Sequence, residues 1–509
     1  MFAKINSLGL FGLNAFAVEA ETDISKGQPL FEIIGLPDLV VKESRERIKS
    51  AMRSSDIAFP VARVTVNLAP ADTKKCGSVH DLAVLVSIIK AMGIINCNLD
   101  DSCFIGEVSL SGAVRRINGV LPMTILAHQK GFKSIYVPAD NAFEASVCDG
   151  IDVYGVSSVN QLLCHLYGKE HIAKQKRYMP EYSFGENFPD FCDVKGQYNA
   201  KHALEVAAAG GHNALLIGSP GCGKSMLAKR VPSILPKMTF EESIQTTNIY
   251  SISGLTDSEK PLVTVRPFRA PHHTISSAGL AGGGAVPHPG EISLAHNGVL
   301  FLDELAEFDR RTLEILRQPI EDRQVTISRV SGTFTYPCSI MLIGAMNPCP
   351  CGFFGHPKHK CTCTKSAMSK YLAKISGPML DRFDLHIEVA PVEFESLSSS
   401  SNEECSAAIR ERVQKAREIQ NRRFKNLDIS CNAEIPPSKI NEFCEMDSQA
   451  VQTIKTIFDK LGLSVRAYDR ILKVARTIAD IEGKEIIGRN HIVQASQFRT
   501  LDRKYWQNI

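Results

Sequence analysis

Three short apolar runs punctuate the middle of the chain: NALLI before Gly218, GVLFL before Asp303 and SIMLIGAM before Asn347. Each has the length of a buried strand, and each gives way abruptly to glycine-rich or polar residues. SMLAKRVPSIL, after the first run, can start a helix, and an alanine-rich helix in NAKHALEVAAAGG leads into that run. Ahead of this region, strand-like runs alternate with helical ones. LFEIIGL, ARVTVNLAP and SIYVPA predict strands; VVKESRERIKSAMRSS, SVHDLAVLVSIIKAMG and TILAHQKGF predict helices. The last hundred or so residues are helical throughout. The pattern predicts an α/β protein with a parallel sheet in its middle part, a mixed α+β region before it and a helical region after it.

A chain of 509 residues has room for about three domains. The expected division is 1–168, a polar connector at 169–190, a core at 191–395 carrying a cysteine-bearing loop at 349–363, and a helical domain at 396–509. ESLSSSSNEE is a polar joint near the start of that last domain. The composition, 44% apolar and 22% charged, is that of a soluble globular protein. No apolar run approaches the ~20 residues of a membrane helix, so no membrane partner is expected. The N-terminus, MFAKINSLGLFGLNAF, is a predicted strand rather than a signal peptide. Fifteen cysteines without an export signal imply a reducing, cytoplasmic setting and free thiols or metal ligands rather than disulfides. A net charge of +3 neither requires nor excludes nucleic acid.

The first apolar run enters GSPGCGKS: Gly218, Ser219, Pro220, Gly221, Cys222, Gly223, Lys224 and Ser225. This is G-x-x-x-x-G-K-S between a strand and a helix, the setting a phosphate-binding loop requires. Glycines let backbone N–H groups turn toward the phosphates of ATP, and the following helix directs its positive end at the same anion. Lys224 supplies a charge to the outer phosphates and Ser225 a hydroxyl to Mg²⁺. GVLFLDE ends in two carboxylates where α/β sheets bind ligands. Asp303 is placed to hold the Mg²⁺ shell, and Glu304 to orient the attacking water.

These stretches resemble the magnesium-chelatase-like branch of AAA+ ATPases, and the whole chain resembles the ComM/YifB family within it. The resemblance rests on RPFRAPHHTIS (266–276), PHPGEISLAHNGVLFLDEL (287–305), LRQPIEDRQVTISR (316–329), GAMNPCPCG (344–352) and ISGPMLDRFDLH (375–386). It implies that Asn347 is the sensor-1 residue at the γ-phosphate or the water. Arg382 becomes the candidate arginine finger reaching a neighbouring subunit's nucleotide, with an ion pair to Asp381 or Asp384 as its structural alternative. Arg466 takes the sensor-2 position in a helical lid, reaching the same γ-phosphate, with Arg470 as runner-up. The adenine is expected near Val194 to Gln197.

The first part resembles the peptidase domain of the Lon family through GEVSLSGAVRRINGVLPMTILAHQKGFKSIYVPADN (106–141). Lon-type peptidases need a serine nucleophile and a lysine base. Leu121, Pro122 and Met123 stand where that lysine is expected, and Ser78, His80 and Asp81 are three neighbours in one run rather than a through-space triad. Val79-His80-Asp81 is also where the ComM/YifB resemblance leads one to expect Gly-Phe-Asp. A peptidase-inactive scaffold or protein-docking domain follows.

Two insertions carry arginines: Arg266 and Arg269 in RPFRAPHHTISSAGLAGGGAVPHPG, and Arg323 and Arg329 in DRQVTISRVSGTFTYP, a predicted hairpin. Such loops in ring ATPases tend to face the channel, where arginines track a phosphate backbone; contacts to another subunit or to a protein substrate are the alternative. His272 and His273 are adjacent, a poor arrangement for a metal. Cys349, Cys351, Cys361 and Cys363 form two C-x-C pairs separated by nine residues, and four thiolates suit a structural Zn²⁺. His356 and His359 are possible substitute ligands, and unliganded thiols are the alternative. The expectation is a cytoplasmic homohexameric Mg²⁺/ATP-dependent ring motor, assembled with nucleotide or DNA. The resemblance implies helicase or branch-migration work on branched or single-stranded DNA in recombination and natural transformation. A protein-remodelling ATPase and a magnesium-chelatase ATPase subunit are the alternatives.

Overall fold

A computed structural model describes residues 1–180, 188–284, 287–329, 332–391, 403–427, 429–499, 501 and 505–506. The polar joint expected at 395–404 lies, but for Glu403 and Glu404, outside the described residues. The chain divides into two compact units. One comprises Met1–Glu181, Phe240–Thr264 and Thr326–Tyr336; the other comprises Tyr182–Thr239, Val265–Val325 and Pro337–Ile509.

The first unit is built on a seven-stranded mixed sheet. Its strands are β1 (Phe2–Phe11), β2 (Asn14–Ser25), β3 (Leu30–Ile34), β4 (Arg63–Ala69), β5 (Ser102–Phe104), β6 (Ser134–Pro138) and β7 (Asp152–Val156). Their order across the sheet is β3-β4-β2-β1-β5-β6-β7. β1 and β2 form an antiparallel hairpin and β2 pairs antiparallel with β4, while the remaining pairings are parallel. β4 shows the expected alternation: Val64, Val66 and Leu68 are buried and the residues between them are not. The helix Asp81–Ala91 is buried on almost every face, which explains why its sequence is apolar all round.

The two additional segments are integral to this unit. Gly119 N–H donates to the Ser251 carbonyl at 3.1 Å, and Arg116 donates to the Thr256 carbonyl at 2.6 Å. Leu262 shares an apolar cluster with Leu121 and Val147. Phe334, on the hairpin Gln324–Arg329/Gly332–Pro337, lies with its ring centroid 4.5 Å from that of Phe11.

The second unit carries a five-stranded, wholly parallel sheet. Its strands are β8 (Ala214–Ile217), β9 (Phe268–Arg269), β10 (Gly298–Leu302), β11 (Ile340–Met346) and β12 (Leu385–Glu388), in the order β9-β10-β11-β8-β12. Every residue of β8, β10 and β11 is buried, the reason those runs are apolar without alternation. Helices Tyr198–Gly210, Ser406–Arg423, Val465–Ile481 and Arg489–Gln497 contribute to one core with these strands. A buried polar node ties the last group of helices together. Arg423 and Arg476 both pair with Asp480, and Asn432 donates to the same carboxylate at 2.8 Å. Each buried charge therefore has an opposite charge and further hydrogen bonds.

Candidate ATP site and thiol cluster

β8 runs directly into the loop Gly218–Ser225, and Lys224 opens the short helix Lys224–Ala228. Gly221 and Gly223 have φ of 77° and 97°, left-handed values that a side chain would strain. A Cβ built on either glycine meets no atom within 4 Å, so the space above the loop is open. Lys224 Nζ donates to the carbonyls of Gly218 at 2.7 Å and Ser219 at 3.0 Å, and to Asn347 Oδ1 at 3.1 Å. Burial pulls its pKa down, opposed by the nearby Cys222 and Asp303. Ser225 Oγ donates to Asp303 Oδ2 at 2.7 Å, which sets two hard oxygen donors side by side. That pair fits a Mg²⁺ ion, which takes oxygen ligands together with substrate phosphates.

β10 delivers Asp303 and Glu304. Glu304 sits at φ 51°, an uncommon conformation for this residue type, and its N–H donates to Asp303 Oδ1 at 2.9 Å. Its Oε2 lies 3.3 Å from Nδ1 of His273, which follows the edge strand β9. β11 lies between β10 and β8 and ends at Met346, just before Asn347. The parallel order thus brings the loop, the two carboxylates and the amide together at the carboxyl ends of three adjacent strands. Gln197 Nε2 donates to the Cys222 carbonyl at 3.2 Å, which sets the stretch Val194–Gln197 against the loop.

The family description "Magnesium chelatase, subunit ChlI" matches residues 190–397, "Subunit ChlI of Mg-chelatase" matches 20–141, and "Magnesium chelatase, subunit ChlI C-terminal" matches 403–499. The protein designated YifB in Escherichia coli (strain K12) is 40% identical over 503 residues, 98% of this chain and 97% of its own. "Competence protein ComM" of Haemophilus influenzae is 40% identical over 508 residues, 98% of each chain. The chain belongs to the ComM/YifB family of magnesium-chelatase-like AAA+ ATPases. A Lon protease of Acinetobacter baumannii is 27% identical over 175 residues, 31% of this chain and 21% of its own.

In this member of the ComM/YifB family two of the arginines named from the sequence lie apart from the phosphate loop. Arg382 and Arg466 line a separate cavity of about 380 Å³, together with Arg323, Arg470 and Lys473; no residue of Gly218–Ser225 lines it. Arg382 Nη2 pairs with Glu321 at 2.7 Å rather than with Asp381 or Asp384. It is Arg470 that takes those partners, Asp384 at 3.3 Å and Asp381 at 3.9 Å. Arg466, exposed in the first turn of Val465–Ile481, has no partner among the described residues. Arg466, expected to complete the phosphate loop's site in the same subunit, lies here in the lining of this cavity. The helix starts at the Ser464 cap, and its residues Arg466, Asp469, Arg470 and Lys473 line this cavity with Arg382.

Three of the four arginines expected to meet DNA have partners within the chain. Arg266 donates to the carbonyls of Pro236, Asn297 and Lys237, and so ties three backbone segments together. Arg269 makes a two-pronged pair with Glu291, both contacts at 2.6 Å. Arg323, at φ 54° at the base of the hairpin, donates to Ser339 Oγ at 2.7 Å and pairs with Glu434 at 2.5 Å. Only Arg329 is exposed without a partner among the described residues. The two strands of the hairpin pair, and Phe334 packs on Phe11.

In the first unit, Ser78, His80 and Asp81 take three different partners. Ser78 Oγ donates to Glu107, His80 Nδ1 lies 3.1 Å from Ser7 Oγ, and Asp81 pairs with Arg47 at 2.8 Å. Burial, assisted by Lys75, lowers the His80 pKa to about 3, and no nucleophile–base pair forms among the three. Leu121, Pro122 and Met123 are buried at the start of the helix Val120–Gln129.

The thiols of Cys349, Cys351, Cys361 and Cys363 converge, with all four Sγ atoms within 4.8 Å of one another. His356 and His359 are not members of this group, and His356 Nδ1 accepts from the backbone N–H groups of Lys358 and His359 at 3.0 Å. Sequence reasoning missed two contacts. The approach of His273 to Glu304 depends on β9 pairing with β10, which no local signal reports. The closeness of Gly352 to Pro220 joins residues remote in sequence through the same sheet.

Proposed function

We propose that this chain is a Mg²⁺/ATP-dependent ring motor, a homohexamer acting on DNA in the cytoplasm, with helicase or branch-migration activity in recombination and natural transformation. The observation that carries the reading is the division of the second unit into two incomplete halves. Lys224, Ser225, Asp303, Glu304 and Asn347 supply phosphate, metal and water positions without an arginine. Arg382 and Arg466 share a cavity without a phosphate loop. A ring of identical chains offers each half the other, with the arginines of one copy stabilising charge on the nucleotide of the next. Mg²⁺, held through Ser225 and Asp303, would neutralise phosphate charge. Glu304 aligns the water, and Asn347 and Lys224 hold the γ-phosphate end. The four thiols are read as a structural Zn²⁺ site, and the first unit as a docking surface for a protein partner. The DNA substrate rests on the family and on the relative named for competence.

The test is the ATPase rate of assembled chain at low salt with single-stranded, duplex and four-way-junction DNA, with Glu304→Gln as the blank. Stimulation by one of these supports the DNA motor. Steady turnover indifferent to all three rejects it in favour of protein remodelling.

A further inference from the structure

Between the end of β11 at Met346 and the helix Lys365–Leu372 the described chain forms no helix or strand. The thiol cluster closes this stretch on itself. Cys349 Sγ lies 3.4 Å from that of Cys351 and 3.7 Å from that of Cys361, and Cys351 lies 3.6 Å from Cys361. These separations are far longer than the ~2.05 Å of a disulfide. They match the edge of a tetrahedron with Zn–S arms of ~2.3 Å, which is about 3.8 Å. Cys351 N–H also donates to Cys363 Sγ at 3.3 Å, the kind of outer hydrogen bond that accompanies a metal-bound thiolate.

The cluster adjoins the ATP site along two routes. Cys349 stands two residues beyond Asn347, the amide that accepts from Lys224. Just after Cys351, Gly352 turns back at φ 82° and donates to the Cys349 carbonyl at 2.9 Å. A Cβ at Gly352 would lie 2.4 Å from Cδ and 2.6 Å from Cγ of Pro220, so this knuckle rests directly on the phosphate loop. On its other side the cluster leads through Cys363 to the Thr364 cap of the helix Lys365–Leu372. Tyr371 of that helix is largely buried; burial raises its pKa, and the Asn347 backbone N–H is among the groups that oppose the rise. Asn347 is thus held from its own strand and from Lys224, two residues before the first of the thiols that lead to this helix.

We propose that Cys349, Cys351, Cys361 and Cys363 hold a Zn²⁺ ion that braces Asn347 and the phosphate loop, so that ATP hydrolysis requires the metal. The proposal rests on the ATPase reading of the loop and extends it. The ion takes no part in bond breaking. It fixes the loop end that sets the Asn347 amide and packs on Pro220. Losing it leaves Lys224 and Ser225 able to meet phosphates but frees Asn347, so turnover falls more than nucleotide affinity does.

The test uses the full chain, with metal content by elemental analysis, nucleotide affinity by a fluorescent ADP analogue, ATPase rate and thermal melting measured on the same samples. One zinc per chain is expected. A chelator selective for soft ions, with Mg²⁺ in excess, removes it together with ATPase activity, and added Zn²⁺ restores both. Cys361→Ser/Cys363→Ser, remote from Asn347 in sequence, loses the zinc and about 10- to 100-fold in kcat while still binding ADP. Gly352→Ala, which strains the turn at φ 82° and meets Pro220, keeps the zinc and loses turnover. Absence of zinc from an active wild-type chain overturns the metal site. Zinc lost from the cysteine variant with kcat unchanged overturns the brace. A zinc-loaded wild type that binds nucleotide but never hydrolyses it overturns the ATPase reading beneath both.

Discussion

The phosphate loop and the arginine-lined cavity lie in the same unit and treat charge in opposite ways. At the loop one buried cation, Lys224, is held by two carbonyls and an amide, all of them neutral acceptors that an incoming phosphate can replace. In the cavity Arg323, Arg382 and Arg470 each have a carboxylate partner, and Arg466 stands apart from them with none among the described residues. Glycines give the loop its open concave backbone, while the cavity is walled by paired side chains from helices and strand ends. On the proposed reading the first arrangement receives the phosphates, and the arginines of the second serve a nucleotide bound by another copy. That difference is what points to a site shared between copies.

The sharpest way to break the comparison is to disable each half in a different chain. Arg382→Ala should lower ATP turnover by about 10³-fold, the usual weight of an arginine supplied to a transferring phosphate. Lys224→Ala should be equally inactive alone. Mixing the two should restore part of the activity, because some junctions then join an intact loop to an intact arginine. No recovery, with mixed rings shown by pull-down, would place both halves in one chain's site. Glu304→Gln should lower kcat by about 10²-fold or more while nucleotide binding persists, as expected for loss of a group acting on the water. A parallel loss of affinity in equilibrium binding would remove Glu304 from that role.

Acid should separate the regions more gently. The Asp384 carboxylate, beside the cavity, is held near 2 by His212 and Arg470 despite its burial. Its contribution to stability is full above its ordinary value near 4 and is lost as pH falls through 2. His80 in the first unit and His296 in the second are kept neutral by burial, with pKa values of about 3 and about 4. Unfolding lets each take a proton below 6.5, so each should remove about 1.4 kcal/mol per pH unit as pH drops from 6.5 toward its folded value. Denaturant melts between pH 7 and 4 check this; a flat stability over that range contradicts the buried neutral state.

The smallest effects concern DNA. Arg329→Ala should reduce the slope of log affinity against log salt by about 1 without moving the melting temperature. Arg266→Ala should do the reverse, because it leaves three backbone carbonyls without their donor. If Arg266→Ala instead changes only the salt slope, the carbonyl bracket is not what that arginine serves.

The uneven legibility of these sites has a physical cause. Lys224, Ser225, Asp303, Glu304 and Asn347 sit at the ends of short apolar runs, so strand order alone gathers them and local sequence reports them. Arg382, Arg466 and Glu321 meet only after helices from distant segments pack together, which no periodicity encodes. The same holds for Arg266 and Arg269: their charge is visible in the chain, but their partners Asn297 and Glu291 are found only in the folded sheet. The four thiols lie close in sequence and could be grouped before folding, while the contact of Gly352 with Pro220 depends on β11 and β8 being neighbours.

The first unit is assembled from three separated pieces of chain, and this bears on how the protein can be cut. A fragment ending near residue 168 would keep the seven-stranded sheet yet leave Phe11, Leu121 and Val147 without Phe334 and Leu262 above them. A fragment beginning near residue 190 would carry those covering side chains as exposed apolar surface. Either piece should be prone to clumping when made alone, and a protease that nicks the 169–190 connector should leave two halves that still travel together.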